Sequence, residues 1–337
     1  IKAGRIRTVR ARPTRRTELG IMPRIPPALK LFWGGVAAVL VIGGAVLQFL
    51  GPIPPKLPPR AADGAIPAPS PLLEMASGVD PHWLIPHPGA YGVLPMQYYA
   101  ARTVARPDVP RIAIMVAGLG YALGPGLDAV RDLPPAVSLA VSPYGVHDAA
   151  IAAAARKAGH ETLMGLPMQV DGGPDITAGD RALRAGGSGA HNLERLDWAL
   201  SRLSGYAGVT DAIGLTVPEL FMTHKRAAAW LAGQLTADGL FMVIAEPTIA
   251  SPDGVDSRSA DVVIDPSQGR AAEAASLSQL ANTALTRGSA LGVLLNPTPP
   301  AIAALATWCQ SLTGQHIALV PVSALVAPAL VTPALAQ

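Results

Sequence analysis

Six polar residues that follow short apolar runs have side chains whose chemistry could be used together. Carboxylate, amide and phenol groups form directional hydrogen bonds, which suits them to the hydroxyl groups of sugars. The six are Tyr144, Gln169, Asp211, Glu246, Asn296 and Thr298. Asp211 and Glu246 could act as a general acid and base, but they could equally cap helices or pair with nearby arginines. The sequence leaves both interpretations open.

Cysteine and histidine usage argues against a metal or redox centre. Cys309 is the only cysteine, which excludes a disulfide framework and a cysteine-based zinc or iron–sulfur site. Its apolar neighbours Leu305 and Leu312 predict a buried thiol. None of the seven histidines stands in His-x-His or i,i+4 spacing. Each histidine is therefore expected to be solvated or to cap an element, and no cofactor is predicted.

The six polar residues are expected to be positioned by alternating strands and helices. Short apolar runs predict strands at 111–116, 136–141, 161–166, 208–212, 240–244, 261–264, 290–295 and 317–322. Helical patterns lie between them, at 146–158, 193–203, 225–238, 271–287 and 301–312. This alternation indicates an α/β fold, here a distorted (β/α) barrel of seven or eight parallel strands. The chemistry of such folds lies where the strands end.

The first fifty residues predict a membrane anchor. From 31 to 50 run twenty residues without a charge and with one polar residue, Gln48. As a helix this run is about 30 Å long, the thickness of the hydrocarbon core of a bilayer. Residues 1–50 hold nine Lys or Arg against one acidic residue. The charge pattern predicts a single transmembrane helix at 31–50 in the inner membrane, a cytoplasmic tail at 1–30 and a periplasmic C-terminal domain. A cleaved signal peptide is the alternative.

The remaining organisation follows from composition. Residues 51–110 contain fourteen prolines, which predicts a Pro-rich linker at 51–109 with an aromatic strap at 83–99. A C-terminal tail is expected at 326–337. Outside the first fifty residues the chain has 17 basic and 22 acidic residues, so binding to nucleic acid is not expected.

Several sequence blocks occur in an order that resembles a known family. RIAIMVAGLG begins at Arg111, LPPAVSLAVSPYG at Leu133 and AGHETLMGLPM at Ala158. LERLDWALSRL, GYAGVTDAIG, RGSALGVL and IALVPVSAL follow. Together these blocks resemble the divergent polysaccharide deacetylase family over about residues 110–325. The resemblance implies a βα barrel that removes acetyl groups from envelope polysaccharides, using a divalent metal to polarise the acetyl carbonyl and activate water.

This chain departs from the family at the positions that would hold the metal. The resemblance implies an Asp pair after the first strand, where Ala117 and Gly118 stand, and an Asp after the fifth, where Ile244 stands. It also implies two runs that contain histidine. The run after the fourth strand here ends in Ala212, and the run after the seventh strand reads Asn-Pro-Thr at 296–298. Carboxylates and imidazoles are the usual ligands of such a cation. We therefore predict that no metal is bound.

These observations predict a membrane-anchored, periplasmic, deacetylase-like protein of envelope carbohydrate metabolism, metal-free and catalytically inactive. It would bind an envelope glycan or an envelope protein at the strand-end face. One alternative is an active carbohydrate deacetylase with a site rebuilt from Asp211 and Glu246, joined by Asp171 or Asp175. Another is a scaffold of an envelope assembly that makes its contacts through residues 80–100.

Overall fold

The chain divides into two units, residues 1–54 and residues 55–337. The computed structural model describes residues 26–50, 56–60, 64–103, 108–171, 178–214 and 220–326. The first unit contains helix α1, Pro27–Leu50, whose side chains are described as far as residue 43.

Helix α1 covers the apolar run that predicts a membrane span. Within the described residues, no helix has both the length and the apolar character that a bilayer crossing requires. The transmembrane assignment of 31–50 therefore gains no support from the structure. Residues 1–25 of the predicted basic tail and 327–337 of the predicted C-terminal tail lie outside the described residues.

The second unit alternates strands and helices. Its strands are β1 Glu74–Ala76, β2 Leu84–Pro86, β3 Arg111–Leu119, β4 Ser138–Val141, β5 Thr162–Gly165, β6 Gly208–Thr210, β7 Phe241–Ile244, β8 Ser257–Ser259, β9 Val262–Ile264, β10 Ser289–Leu294 and β11 Ala318–Val320. Its helices are α2 Pro95–Tyr98, α3 Leu123–Asp132, α4 Asp148–Ala158, α5 Gly189–Leu200, α6 Lys225–Ala237, α7 Arg270–Arg287, α8 Pro299–Ser311 and α9 Ser323–Val326. Each of the eight predicted strands has a counterpart in the structure.

Strands β3 to β11 form one parallel sheet. Its order is β8-β7-β6-β5-β4-β3-β10-β9, and β11 pairs with the beginning of β3. Neighbouring strands along this order run in the same direction. The α/β class and the barrel-like parallel sheet are therefore confirmed.

The two outermost strands of this order are consecutive in the chain. The amide of Ala260 donates to the carbonyl of Ile244 in β7 (2.8 Å), whereas the amide of Asp261 donates to that of Leu291 in β10 (2.8 Å). The chain therefore changes its partner from β7 to β10 between residues 260 and 261. In this way residues 257–264 connect the β7 edge of the sheet to the β10 edge. Strand β8 reads Ser-Arg-Ser and lacks an apolar run, which is why the sequence pattern does not predict it.

The strands are buried on both faces. In β3, Ile112, Ile114 and Val116 belong to an apolar cluster that includes residues of the surrounding helices. The alternate side chains, Ala113 and Met115, belong to a second cluster formed largely by the other strands. Because successive side chains of a strand point to opposite faces, the second cluster fills the barrel interior. Burial on both faces explains why the strand sequences are almost continuously apolar.

Much of the predicted linker packs on the barrel. Strands β1 and β2 form an antiparallel hairpin, and Leu73, Tyr98 and Tyr99 are buried in the same cluster as the barrel interior. The amide of Ser70 donates to the phenol oxygen of Tyr99 (2.9 Å). Residues 64–103 therefore belong to the folded unit. Proline-rich sequence has no helical or strand periodicity, so its pattern alone indicates a linker.

A buried carboxylate connects distant parts of the second unit. Glu161 is fully buried and accepts hydrogen bonds from Ser138 Oγ (2.7 Å), Ala101 N (3.1 Å), Ser323 N (3.0 Å) and Ser323 Oγ (2.6 Å). Ser138 Oγ in turn accepts from the amide of Val322 (3.0 Å). A buried carboxylate needs such donors to offset its lost hydration. Glu161 therefore ties the segments before β3 and after β11 to the start of β4.

Replacing Glu161 with glutamine is expected to lower the free energy of unfolding by about 3 kcal/mol, because an amide would turn N–H groups toward the donors. Urea unfolding would measure the loss. Glu194→Gln is the matched control, since the Glu194 side chain is 45% exposed and pairs with Arg181. It should change stability by no more than about 0.5 kcal/mol. Equal unfolding midpoints for the two variants would contradict the role assigned to Glu161.

Candidate functional site

Two backbone segments meet across the strand-end face of the barrel. Gly118, near the end of β3, and Gly214, after β6, both have positive φ (78° and 95°). A Cβ added to Gly118 would lie 2.8 Å from the Cα of Gly214. Strands β4 and β5 separate β3 from β6 in the sheet, so this contact crosses the barrel. A side chain at position 118 has neither the backbone conformation nor the space that it would need.

Two further side chains, those of Asn296 and Ile213, lie close to the backbone at the strand-end face. The Oδ1 atom of Asn296 lies 3.1 Å from the position that a Cβ of Gly214 would take. Asn296 itself has a positive φ of 47°. Ile213 is 5% exposed, and its Cγ2 lies 3.0 Å from where a Cβ of Gly165 would stand. The centre of the strand-end face is therefore occupied by backbone and by an apolar side chain.

The residues at the implied metal positions do not fit a divalent cation. Ala117, Ala212 and Ile244 are buried and apolar, and Gly118 cannot carry a side chain in this backbone. No group of three His, Cys, Asp or Glu in the described part of the chain is placed to hold a metal ion. A cation of this type requires several oxygen or nitrogen donors in one shell. These side chains do not supply them.

Asp211 and Glu246 lie at the ends of the adjacent strands β6 and β7. The Oδ1 atom of Asp211 accepts hydrogen bonds from the amide of Ala245 (2.8 Å) and from Thr210 Oγ1 (3.4 Å). Burial, with a smaller contribution from the charge of Glu246, raises the pKa of Asp211 to about 6, although the Ala245 amide acts in the opposite direction. Asp211 therefore bonds a strand-end amide, and among the described residues it neither caps a helix nor pairs with an arginine.

Glu246 stabilises its own turn. Its Oε1 atom accepts hydrogen bonds from Thr248 N (3.2 Å) and Thr248 Oγ1 (2.8 Å). No helix begins here among the described residues, so this is a side-chain-to-backbone turn and not the helix cap that the sequence left open.

The other four predicted residues are largely engaged in the fold. Gln169 Oε1 accepts from the amide of Ala185 (3.1 Å), and Thr298 Oγ1 caps α8 by accepting from the amide of Ala301 (3.4 Å). Tyr144 packs its ring 5.3 Å from that of Trp198. Asn296 is exposed beside Gly214. Asp175 lies outside the described residues.

Tyr121 is a strand-end residue that sequence reasoning missed. Its side chain is 51% exposed. The phenol accepts a hydrogen bond from Ser142 Oγ (2.7 Å) and donates to the carbonyl of Ile213 (3.4 Å). A tyrosine directly after a glycine-rich strand end is a weak signal, because such glycines usually mark a turn.

Asp148, also missed, is a buried carboxyl group at the start of α4. It is 5% exposed, and no described group donates to its Oδ1 atom. Burial raises its pKa to about 6, partly opposed by the charge of Arg202. Gly120 and Gly145 flank the carboxyl group so closely that a Cβ at either position would collide with it. Those two glycines are the sequence signal that could have drawn attention to Asp148.

The histidines differ from expectation at one position. His160 was expected to be solvated or capping, but it is fully buried. Its Nδ1 and Nε2 atoms face the carbonyls of Val137 (2.8 Å) and Val130 (3.2 Å), and burial lowers its pKa. Cys309 is buried, as its neighbours predict, and burial raises its pKa to about 12. A thiol with that pKa is a poor nucleophile.

Comparison with known proteins identifies relatives of the barrel. The sequence pattern of the family described as divergent polysaccharide deacetylase matches residues 114–326. A crystal structure of an uncharacterized protein, ATU2773 from Agrobacterium tumefaciens C58, is 30% identical with a TM-score of 0.65, over 72% of this chain and 99% of that one. A putative cellobiose-phosphate cleavage protein from Enterococcus faecalis V583 is 12% identical with a TM-score of 0.44, over 64% of this chain and 99% of the other. No curated protein matched.

Because of the contact between Gly118 and Gly214, we expect a side chain at position 118 to destabilise the fold. Gly118→Ala should lower the free energy of unfolding by about 2 kcal/mol or more, because it combines a positive φ with a steric clash. Gly124→Ala is the control: no atom lies within 4 Å of its added Cβ, and alanine favours a helix by about 1 kcal/mol or less. Urea unfolding of both variants tests this. Equal stability of the two would rule out the close approach.

Proposed function

Because the chain belongs to the divergent polysaccharide deacetylase family, we propose that it is a deacetylase-like protein that binds an envelope glycan at the strand-end face without hydrolysing it. The observation that carries this proposal is the contact of Gly118 with Gly214. Backbone occupies the space into which a metal ligand at position 118 would extend. This arrangement supports recognition without hydrolysis by a metal-activated water.

Polar groups around the closed centre favour glycan recognition. Tyr121 presents a half-exposed aromatic ring with a phenol group. Asn296 and Thr298 are exposed after β10. Saccharides are recognised by an aromatic surface together with a few directional hydrogen bonds. An envelope protein is the other partner consistent with this face.

The cellular location is proposed from the sequence alone. The uncharged run at 31–50, preceded by nine basic residues, favours a single inner-membrane anchor with a cytoplasmic tail and a periplasmic barrel. The full chain should then remain in the membrane fraction after an alkaline carbonate wash. Its appearance in the washed supernatant would refute the anchor.

A rebuilt enzyme is the second candidate function. Its support is Asp211, whose pKa is raised to about 6 by burial, with a smaller contribution from the charge of Glu246. A carboxyl group with a pKa near neutrality can act as a general acid or base. In that case Asp211→Asn and Glu246→Gln should each abolish turnover and leave the fold intact.

The deciding experiment measures hydrolysis and binding together. Purified full chain, supplied with zinc, cobalt or manganese, should release no acetate from acetylated chitotetraose or acetylated peptidoglycan, and should retain no stoichiometric metal. It should cosediment with insoluble peptidoglycan. Tyr121→Ala should weaken that binding, whereas Leu285→Ala, at the same 51% exposure on α7, should not.

Acetate release that is lost in Asp211→Asn would favour the rebuilt enzyme. Stoichiometric metal together with acetate release would refute both candidates. Equal binding by Tyr121→Ala and Leu285→Ala would show that the strand-end face is not the binding surface.

A further inference from the structure

An open groove lies between α7 and α8 on the outside of the barrel. Its volume is about 920 Å³, within the range of about 300–1,000 Å³ typical of ligand sites. Pro266 and Thr298 line one end. They follow β9 and β10 closely, so the groove begins at the strand-end edge and continues along the two helices.

A buried carboxyl group forms part of the groove wall. Glu273, in the first turn of α7, is 6% exposed and lines the groove. No group among the described residues donates a hydrogen bond to its Oε1 atom. A buried acceptor without a donor is destabilising. A bound molecule that supplies a hydroxyl group would remove that penalty.

The remaining lining is largely apolar, with several polar side chains and one aromatic ring among it. Ser278, Thr298 and Thr307 contribute exposed hydroxyl groups, Arg270 an exposed guanidinium and Trp308 a partly buried indole. Hydroxyl and guanidinium groups can bond to the oxygens of a sugar, and an indole offers an apolar surface to its ring.

The polar members of the lining and the acceptor of Glu273 without a donor favour a saccharide as the ligand. An amphipathic helix binds a groove through large apolar side chains that enter apolar pockets. The apolar part of these walls consists mostly of small residues such as Ala274, Ala303 and Ala304, with Leu277 as a larger member, and hydroxyl and charged groups lie among them. The small alanine side chains leave space in the groove, while the polar groups can form hydrogen bonds with a ligand.

We propose that the groove between α7 and α8 binds a segment of a hydroxyl-rich oligosaccharide, with Glu273 accepting a hydrogen bond from a sugar hydroxyl. This site is separate from the strand-end centre. It does not depend on whether the protein hydrolyses acetyl groups or on Tyr121.

The chain offers a matched pair of blocking variants. Thr307 lines the groove, and its Oγ1 donates to the carbonyl of Ala303 (2.9 Å). Thr286 is equally an exposed helical threonine, and its Oγ1 donates to the carbonyl of Asn282 (2.9 Å). Thr307→Trp, on α8, should fill the groove. Thr286→Trp places a side chain of the same size on α7 at a position that does not line the groove.

Calorimetric titration with cellotetraose and with tetra-N-acetylchitotetraose tests the proposal on the full chain, with circular dichroism to confirm folding. We expect at least one sugar to bind, with affinity reduced about tenfold or more by Thr307→Trp and by Glu273→Ala, which removes the acceptor. Thr286→Trp should change it less than about twofold. Binding that is lost in Tyr121→Ala and kept in Thr307→Trp would overturn this groove while supporting the strand-end face. Absence of binding to both sugars would also overturn it, as would equal affinities in the two tryptophan variants.

Discussion

Burial of the strands on both faces is the constraint on which the rest of this structure depends. Alternate residues of β3 enter either the helix-facing cluster or the barrel interior, so neither face of a strand is free for polar chemistry. Side chains that could act on a ligand are restricted to the strand ends and to the outer surfaces of the helices. The interior is filled by apolar side chains of both sizes, from alanines such as Ala113 and Ala140 to Met115 and Phe241.

Close contacts between two backbone segments occupy the centre of the strand-end face. The segments after β3 and β6 approach until the glycines at 118 and 214 touch, and Ile213 fills the adjacent space. An aspartate side chain at position 118 would meet the backbone of Gly214.

The opposite end of the barrel is held by polar contacts instead of apolar packing alone. Glu161 collects donors from the segments before β3 and after β11, and the hairpin and aromatic residues of 64–103 cover the interior from that side. The sequence block Gly-His-Glu at 159–161 lies at this end, and its histidine and glutamate stabilise the fold through hydrogen bonds. His160 bridges two backbone carbonyls, and Glu161 satisfies backbone amides.

Periodicity in the sequence alone determined the α/β class, the eight apolar strands and the absence of cysteine or histidine ligand patterns, because these depend on local order and on residue type. It also placed Asp211 and Glu246 on neighbouring strand ends. Only the tertiary structure decided that β8 completes the sheet, that 64–103 packs on the barrel and that Gly118 meets Gly214. It also decided that the Oε1 atom of Glu273, in a groove, has no donor among the described residues. Each of these rests on contacts between segments far apart in the chain, and no local pattern of apolar and polar residues records such distances.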